Sequence, residues 1–175
     1  MRGPSTPPDE EPFPASALLH PVSLGALVLW VLNDHVFKAR WPSGWTGKLS
    51  DVAGLVFFPL LLQAGWEVLA ARGGRAVRPS RWVLMASVLF TAVGFSAIQV
   101  WPWAAEAWRW SLGALQWPVR ALVAGVRGGP FPSLRPVFHV ADAEDLLALP
   151  ALGLALWTGW RRARPPVAAG LTSTF

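Results

Sequence analysis

Residues 82–105 run without a single charged side chain, and three further stretches, 17–33, 52–66 and 146–160, do the same. A hydrocarbon core about 30 Å thick asks for ~20 mostly apolar helical residues. Residues 82–105 meet that length outright, and the other three meet it once their flanks are counted. Each stretch is apolar around its whole circumference rather than along one stripe, and a soluble chain of 175 residues has no interior able to hide four such helices. The expected fold class is therefore all-α, a polytopic transmembrane helical bundle of about four spans. Composition agrees: 14% of residues are charged, against roughly a quarter in a soluble domain.

The net charge of +5 would suggest nucleic acid in a soluble protein. Here the arginines stand at the ends of apolar segments, where they anchor helices and set topology, so nucleic acid is not an expected partner. There is no cysteine, which excludes disulfides, thiolate metal sites and thiol nucleophiles. Residues 1–16 hold five prolines and the run Asp9-Glu10-Glu11. They read as a disordered tail, and they are too acidic and proline-rich for a signal peptide. Residues 17–164 form one transmembrane domain, and 165–175 a flexible tail.

The spans are expected at about residues 17–37, 51–71, 82–101 and 142–160. Pro21 is tolerated in the first turn of the first span, and Pro59 should kink the second. A polar loop occupies 38–49. Residues 103–127 are different. Arg109, Gln116, Arg120 and Arg127 fall within about 40° of one another at 100° per residue, and Trp103, Trp110 and Trp117 form a second stripe beside them. A basic stripe flanked by tryptophans describes an amphipathic helix lying in the headgroup plane. Spanning with Arg109 and Arg120 near the centre would cost about 2.5–3.5 kcal/mol each. Acid-free arginine clusters at 72–81 and 161–164 abut span ends, which makes their side, and both termini, cytoplasmic. The membrane is expected to be a bacterial inner membrane.

That topology gathers three polar groups at the outer face: Asn33-Asp34-His35; Thr46 to Asp51 with Lys48; and His139 with Asp142, Glu144 and Asp145, joined by Gln99. Asp34, His35, Asp51, His139 and Asp142 are the candidate catalytic residues, because imidazole and carboxylate side by side can exchange protons. Lys48 is the candidate anion holder for a headgroup or phosphate. A divalent metal is the one cofactor such a set suggests, with Asp34, His35, His139 and Asp142 as ligands.

Each group also has a plain structural role to weigh against chemistry. Ser50 is expected to cap the second span, with Asp51 complementing its dipole. Asp142 with Asp145 resembles a capping box. Asp34 and Lys38 make an i,i+4 pair. Asp34 at a helix C-terminus opposes the dipole, and Lys48 or His139 is its expected further partner. His20 lies about 22 Å along the helix from His35 and cannot join. Gly47-Lys48-Leu49-Ser50 lacks the strand and upstream glycine of a phosphate loop. Glu67 should pair with Arg72 or a neighbouring arginine, and Ser87, Thr91 and Gly94 form a helix-packing seam.

The stretch 31–62, with Leu32-Asn33-Asp34-His35 followed by Thr46-Gly47-Lys48-Leu49-Ser50-Asp51, resembles a pattern of small uncharacterised bacterial integral membrane proteins. The resemblance covers about a fifth of the chain. It implies a bacterial membrane protein and carries over no catalytic or binding residue.

Three function classes follow. The first is a non-enzymatic membrane component or accessory subunit, partnered by the bilayer and by a membrane protein or further copies of the chain. The second is a metal- or acid/base-dependent enzyme acting on lipid headgroups. The third is a small oligomeric transporter or channel, for which only Gln63 and Glu67 are candidate polar residues inside a span.

Overall fold

The computed structural model describes residues 13–41, 43–73 and 79–163. All regular structure among them is helical. A 3₁₀ turn, Ser16–Leu19, leads into α1, Pro21–Arg40. Then follow α2, Gly44–Arg72, α3, Arg81–Val100, and α4, Pro102–Val126. A 3₁₀ segment, Ala143–Ala151, runs directly into α5, Leu152–Arg162. Three helices, α1, α2 and α3, are long and apolar enough to cross a membrane. The expected tails fall mostly outside the described residues, as do Arg75, Arg78 and Arg164. Residues 13–16 do not belong to a tail: Ser16 is buried, and the Ala15 N–H bonds to Glu67.

Helix boundaries differ from expectation at the first connection. α1 does not end near Phe37. It passes through a π-helical turn, Asn33–Phe37, and continues to Arg40. α2 begins at Gly44 rather than near Asp51, because Ser43 and Thr46 form its start. The Thr46 hydroxyl accepts the Ser43 N–H at 3.3 Å and donates to the Ser43 carbonyl at 2.8 Å, the side-chain half of a capping box. The expected polar loop thus shrinks to a few residues, and Ser50 sits inside a helix with its hydroxyl free for other work. At the N-terminus of α1, Pro21 occupies the first turn as expected, and His20 caps it, Nδ1 accepting the Val22 N–H at 3.2 Å.

α2 is the hub. Half of its apolar window is buried, against 17% for α1 and 22% for α3, so α1, α3 and α5 pack around it. Leu60 and Leu84 meet Ala17 and Ala155 in one core cluster; Val56 and Phe57 meet Ala26 in a second; Leu55 meets Ala148 and Leu152 in a third. The outward faces of α1 and α3 expose Leu24, Val28, Leu89, Phe90 and Val93, the surface a lipid-facing helix presents. Of the expected seam on α3, Ser87 and Thr91 are buried and Gly94 is exposed. Gly159 of α5 takes the seam's role. A Cβ there would meet both Leu84 δ-carbons at 2.6 and 2.7 Å, so any larger residue would force the Leu84 side chain to shift.

α4 leaves the bundle. Trp101 alone separates it from α3, and Trp101 stacks on Trp103 at 5.6 Å between ring centroids. Its helix–helix packing is against α3. It is not among the helices apolar enough to span.

Candidate functional site

The groups expected at one face do meet there, because α1, α2, the C-terminal end of α3 and the 3₁₀ segment converge. They form two linked clusters. In the first, Asn33 is fully buried, at 0% exposure. Its Nδ2 donates to the Thr46 carbonyl at 2.6 Å and to Ser50 Oγ at 2.7 Å. Ser50 Oγ donates in turn to Asp34 Oδ1 at 2.7 Å, and Lys38 Nζ reaches the same oxygen at 2.7 Å. The orientation of the Asn33 amide is set by the Thr46 carbonyl, which can only accept. Its Oδ1 is left buried without a partner among the described residues.

In the second cluster Lys48 Nζ lies 3.4 Å from Asp145 Oδ1 and 3.7 Å from Glu144 Oε2. Gln99, buried at 4% exposure, donates through Nε2 to Asp145 Oδ2 at 3.3 Å and accepts the Asp142 N–H at 3.1 Å. Asp142 caps the 3₁₀ segment by accepting the Glu144 N–H at 2.9 Å, as expected for that position. Asp145 does not complete a capping box; its carboxylate is held by Lys48 and Gln99 instead.

Asp51 stands between the two clusters, half-buried, with the charges of Asp145, Lys38, Lys48 and Asp34 around it. Among the described residues it has neither a hydrogen bond nor an ion pair. The remaining candidates are set apart. His35 is exposed, and its Nδ1 donates to the Val31 carbonyl at 3.0 Å. His139 Nε2 donates to the Ile98 carbonyl at 3.3 Å. Among the described residues neither imidazole touches a carboxylate. Asp34 is satisfied by Lys38 and Ser50 rather than by Lys48 or His139, because α1 continues past it and places Lys38 one turn on. Of the residues raised as metal ligands, Asp34, His35, His139 and Asp142 each have separate partners. No three His, Asp or Glu side chains among the described residues are placed to hold a metal ion.

At the opposite end of the bundle Glu67 is buried at 4% exposure. It accepts the Ala15 N–H at 2.9 Å and Gln63 Nε2 at 3.0 Å, and no described arginine reaches it. The expectation of Arg72 fails on geometry, since five residues at 100° each put the two side chains about 140° apart. Arg81 and Arg161 lie instead over the Trp160 and Trp157 rings, 4.8 and 4.2 Å from the centroids. Between this end and the two polar clusters lies an apolar layer of Leu55, Ala148 and Leu152, closed by Phe95 and Ala92.

The sequence places Asn33 and Ser50 at this face but not their bonds, because Ser50 also suits a helix cap and the bonds of Asn33 depend on the facing of α1 and α2. Compared with protein-family models, curated proteins and solved structures, the chain matches none.

Proposed function

We propose that the chain is a four-span protein of a bacterial inner membrane, with both termini cytoplasmic, working as a non-enzymatic membrane component or accessory subunit. α1, α2 and α3 supply three spans. Residues 143–162 supply the fourth: helical torsions continue through Ala151 and Leu152, and nine 3₁₀ residues followed by eleven α residues reach about 34 Å. Arg72, Arg81, Arg161 and Arg162 share the cytoplasmic end, and α4 lies in the outer headgroup plane.

One observation carries the component reading. Asn33, Asp34, Lys38, Thr46 and Ser50 in one cluster, and Lys48, Gln99, Asp142, Glu144 and Asp145 in the other, bond to one another and tie four chain segments together at the outer face, while His35 and His139 bond only backbone carbonyls. The outer clusters lock the bundle. A transporter needs a polar path from that face to Glu67, and the layer of Leu55, Ala148 and Leu152 stands across it.

The test has two stages. Single cysteines at Arg40, Ala141, Gly73 and Ala163, labelled in intact cells with an impermeant thiol reagent, should react at 40 and 141 only. Native mass spectrometry after mild extraction should then show a stoichiometric complex with the same membrane partner in several detergents. Labelling of 40 and 141 on opposite faces would reject the topology, and a monomer in every detergent would reject the subunit role.

A second reading, an enzyme acting on lipid headgroups by acid/base chemistry, has one observation in its favour. Asp51 alone among the five carboxylates at this face is left without a bond among the described residues, and Lys48 is near enough to bind an anion. Turnover of a headgroup substrate that is lost in Asp51→Asn, with the fold retained, would establish it.

A further inference from the structure

Residues 128–140 do not loop freely away from α4. They run back along it as an extended strap. The Gly129 N–H bonds to the Ala124 carbonyl at 2.9 Å, Trp117 Nε1 donates to the Pro132 carbonyl at 2.8 Å, and Arg109 and Val137 exchange two bonds of 3.0 Å each. Gly113 lies directly against the Arg135 carbonyl, with no room for a Cβ. The strap thus covers the side of α4 that holds Arg109, Gly113 and Trp117.

The other side is bare and carries no charge. Leu115, Val119, Leu122, Val126 and Trp108 fall within about 60° of one another, and Leu122 is half a turn of the wheel from Gly113. Their exposures are high: 73% for Leu115, 68% for Leu122 and 81% for Val126. Ala104, Ala107 and Ala114 widen the same face. Trp110 and Trp117 stand at its edge on the strap side, with their indole N–H groups satisfied by Glu106 and Pro132. Two of the stripe's three arginines are also occupied, and Arg127, at the helix end, is exposed. Arg109 is held by Glu106 at 2.7 Å and by Val137, and Arg120 donates to Gln116 at 2.8 Å.

We infer that the bare face of α4 sinks into the outer leaflet by apolar burial, with the strap on the aqueous side and no requirement for anionic lipid. This rests on the surface-lying orientation of α4 proposed above and names what the helix binds. Three features choose lipid as the occupant. α4 starts one residue after a helix long enough to span, so it stands at membrane level. Its bare half is charge-free over about 37 Å of helix, the form of an interfacial helix. The strap also exposes Phe131 and Phe138, but it is irregular backbone, which does not enter hydrocarbon exposed to lipid. Arg109 and Arg120 of the basic stripe are engaged by the strap and by neighbouring α4 side chains, and Arg127 alone, at the helix end, is exposed without a side-chain partner among the described residues, so apolar burial rather than arginine–phosphate attraction drives the contact.

The experiment uses the full chain, free of native cysteine, in vesicles of phosphatidylcholine alone and of phosphatidylcholine with phosphatidylglycerol. Leu115→Cys, Leu122→Cys and Ser133→Cys each carry an environment-sensitive fluorophore. The expected result is equal quenching of 115 and 122 by a shallow acyl-chain quencher in both lipids, with 133 quenched by aqueous iodide only. Burial that appears only with phosphatidylglycerol overturns the charge-independence. Lipid quenching of 133 with iodide quenching of 115 and 122 overturns the choice of face. Protection of 115 and 122 from both quenchers means that protein covers the face, and overturns the lipid assignment. Failure of the surface-lying orientation itself looks different: labels at Trp108→Cys, Leu115→Cys and Val126→Cys would then report steadily changing depth through the midplane.

Discussion

Asn33 is the side chain on which the first polar cluster turns, and its substitution tests whether the cluster is structural. Asn33→Ala removes two donated bonds of 2.6 and 2.7 Å, each worth about 1 kcal/mol net. It also deletes the orphaned Oδ1, which returns about 1 kcal/mol, and opens a small void that costs about as much. The net loss should be near 2 kcal/mol. Asn33→Asp keeps the shape but sets a carboxylate oxygen against the Thr46 carbonyl in a fully buried place. It should cost more than the alanine, about 3–5 kcal/mol, the penalty of an uncompensated buried charge. Ser50→Ala closes the cycle, and the coupling between the two alanines should be about 0.5–1.5 kcal/mol, the range that interhelical bonds reach in membranes. The assay is reversible unfolding in mixed micelles with increasing dodecyl sulfate, read by tryptophan fluorescence. If Asn33→Asp is no worse than Asn33→Ala, or the cycle shows no coupling, the donor role assigned to the amide is wrong.

Three further outcomes follow from the packing and from one imidazole. Gly113→Ala forces its Cβ against the Arg135 carbonyl, so the strap should lift. Hydrogen exchange across 128–140 should rise sharply while bundle stability holds, and unchanged exchange would deny the contact. Gly159→Ala drives a methyl group into Leu84 and should cost about 1–3 kcal/mol by overpacking; Leu84→Ala in the same chain should recover part of that, and additive losses would refute the clash. His20 precedes α1 with its imidazole held below the ordinary value near 6.5 by partial burial and by the Arg162 and Arg161 charges. A folded value lowered below the unfolded one gives stability that is present above that value and lost as pH falls through the folded one. Melting temperature should therefore drop on going from neutral to acidic buffer more in the parent than in His20→Asn, which keeps a capping acceptor; equal drops would remove His20 from the account.

The site was half legible. Asp142 as a cap, the Asp34–Lys38 pair and the presence of Gln99 were readable because caps and i,i+4 pairs are local geometry. The histidines illustrate the opposite. His35 and His139 stand near the right face in the chain order, yet each bonds a backbone carbonyl, since nothing in local spacing says which way a ring turns. Ser50 was expected to cap α2, but the helix starts at Ser43 instead, because the Thr46 hydroxyl closes on Ser43.

By itself, the sequence determined that this chain is helical and that several of its helices suit a bilayer. Charge-free length is a local quantity, and the cost of burying charge in hydrocarbon applies to any fold that would contain it. Tertiary structure decided what the polar side chains do. Among the described residues Glu67 meets the Ala15 N–H and Gln63 rather than an arginine, Ser50 joins Asn33 to Asp34, and Arg109 and Arg120 of α4 turn to the strap and to their helical neighbours. Those pairings depend on the angle at which one helix faces the next and on where a connecting segment lies down. Neither is encoded in any short stretch of residues, because both arise only when the apolar faces have chosen their neighbours.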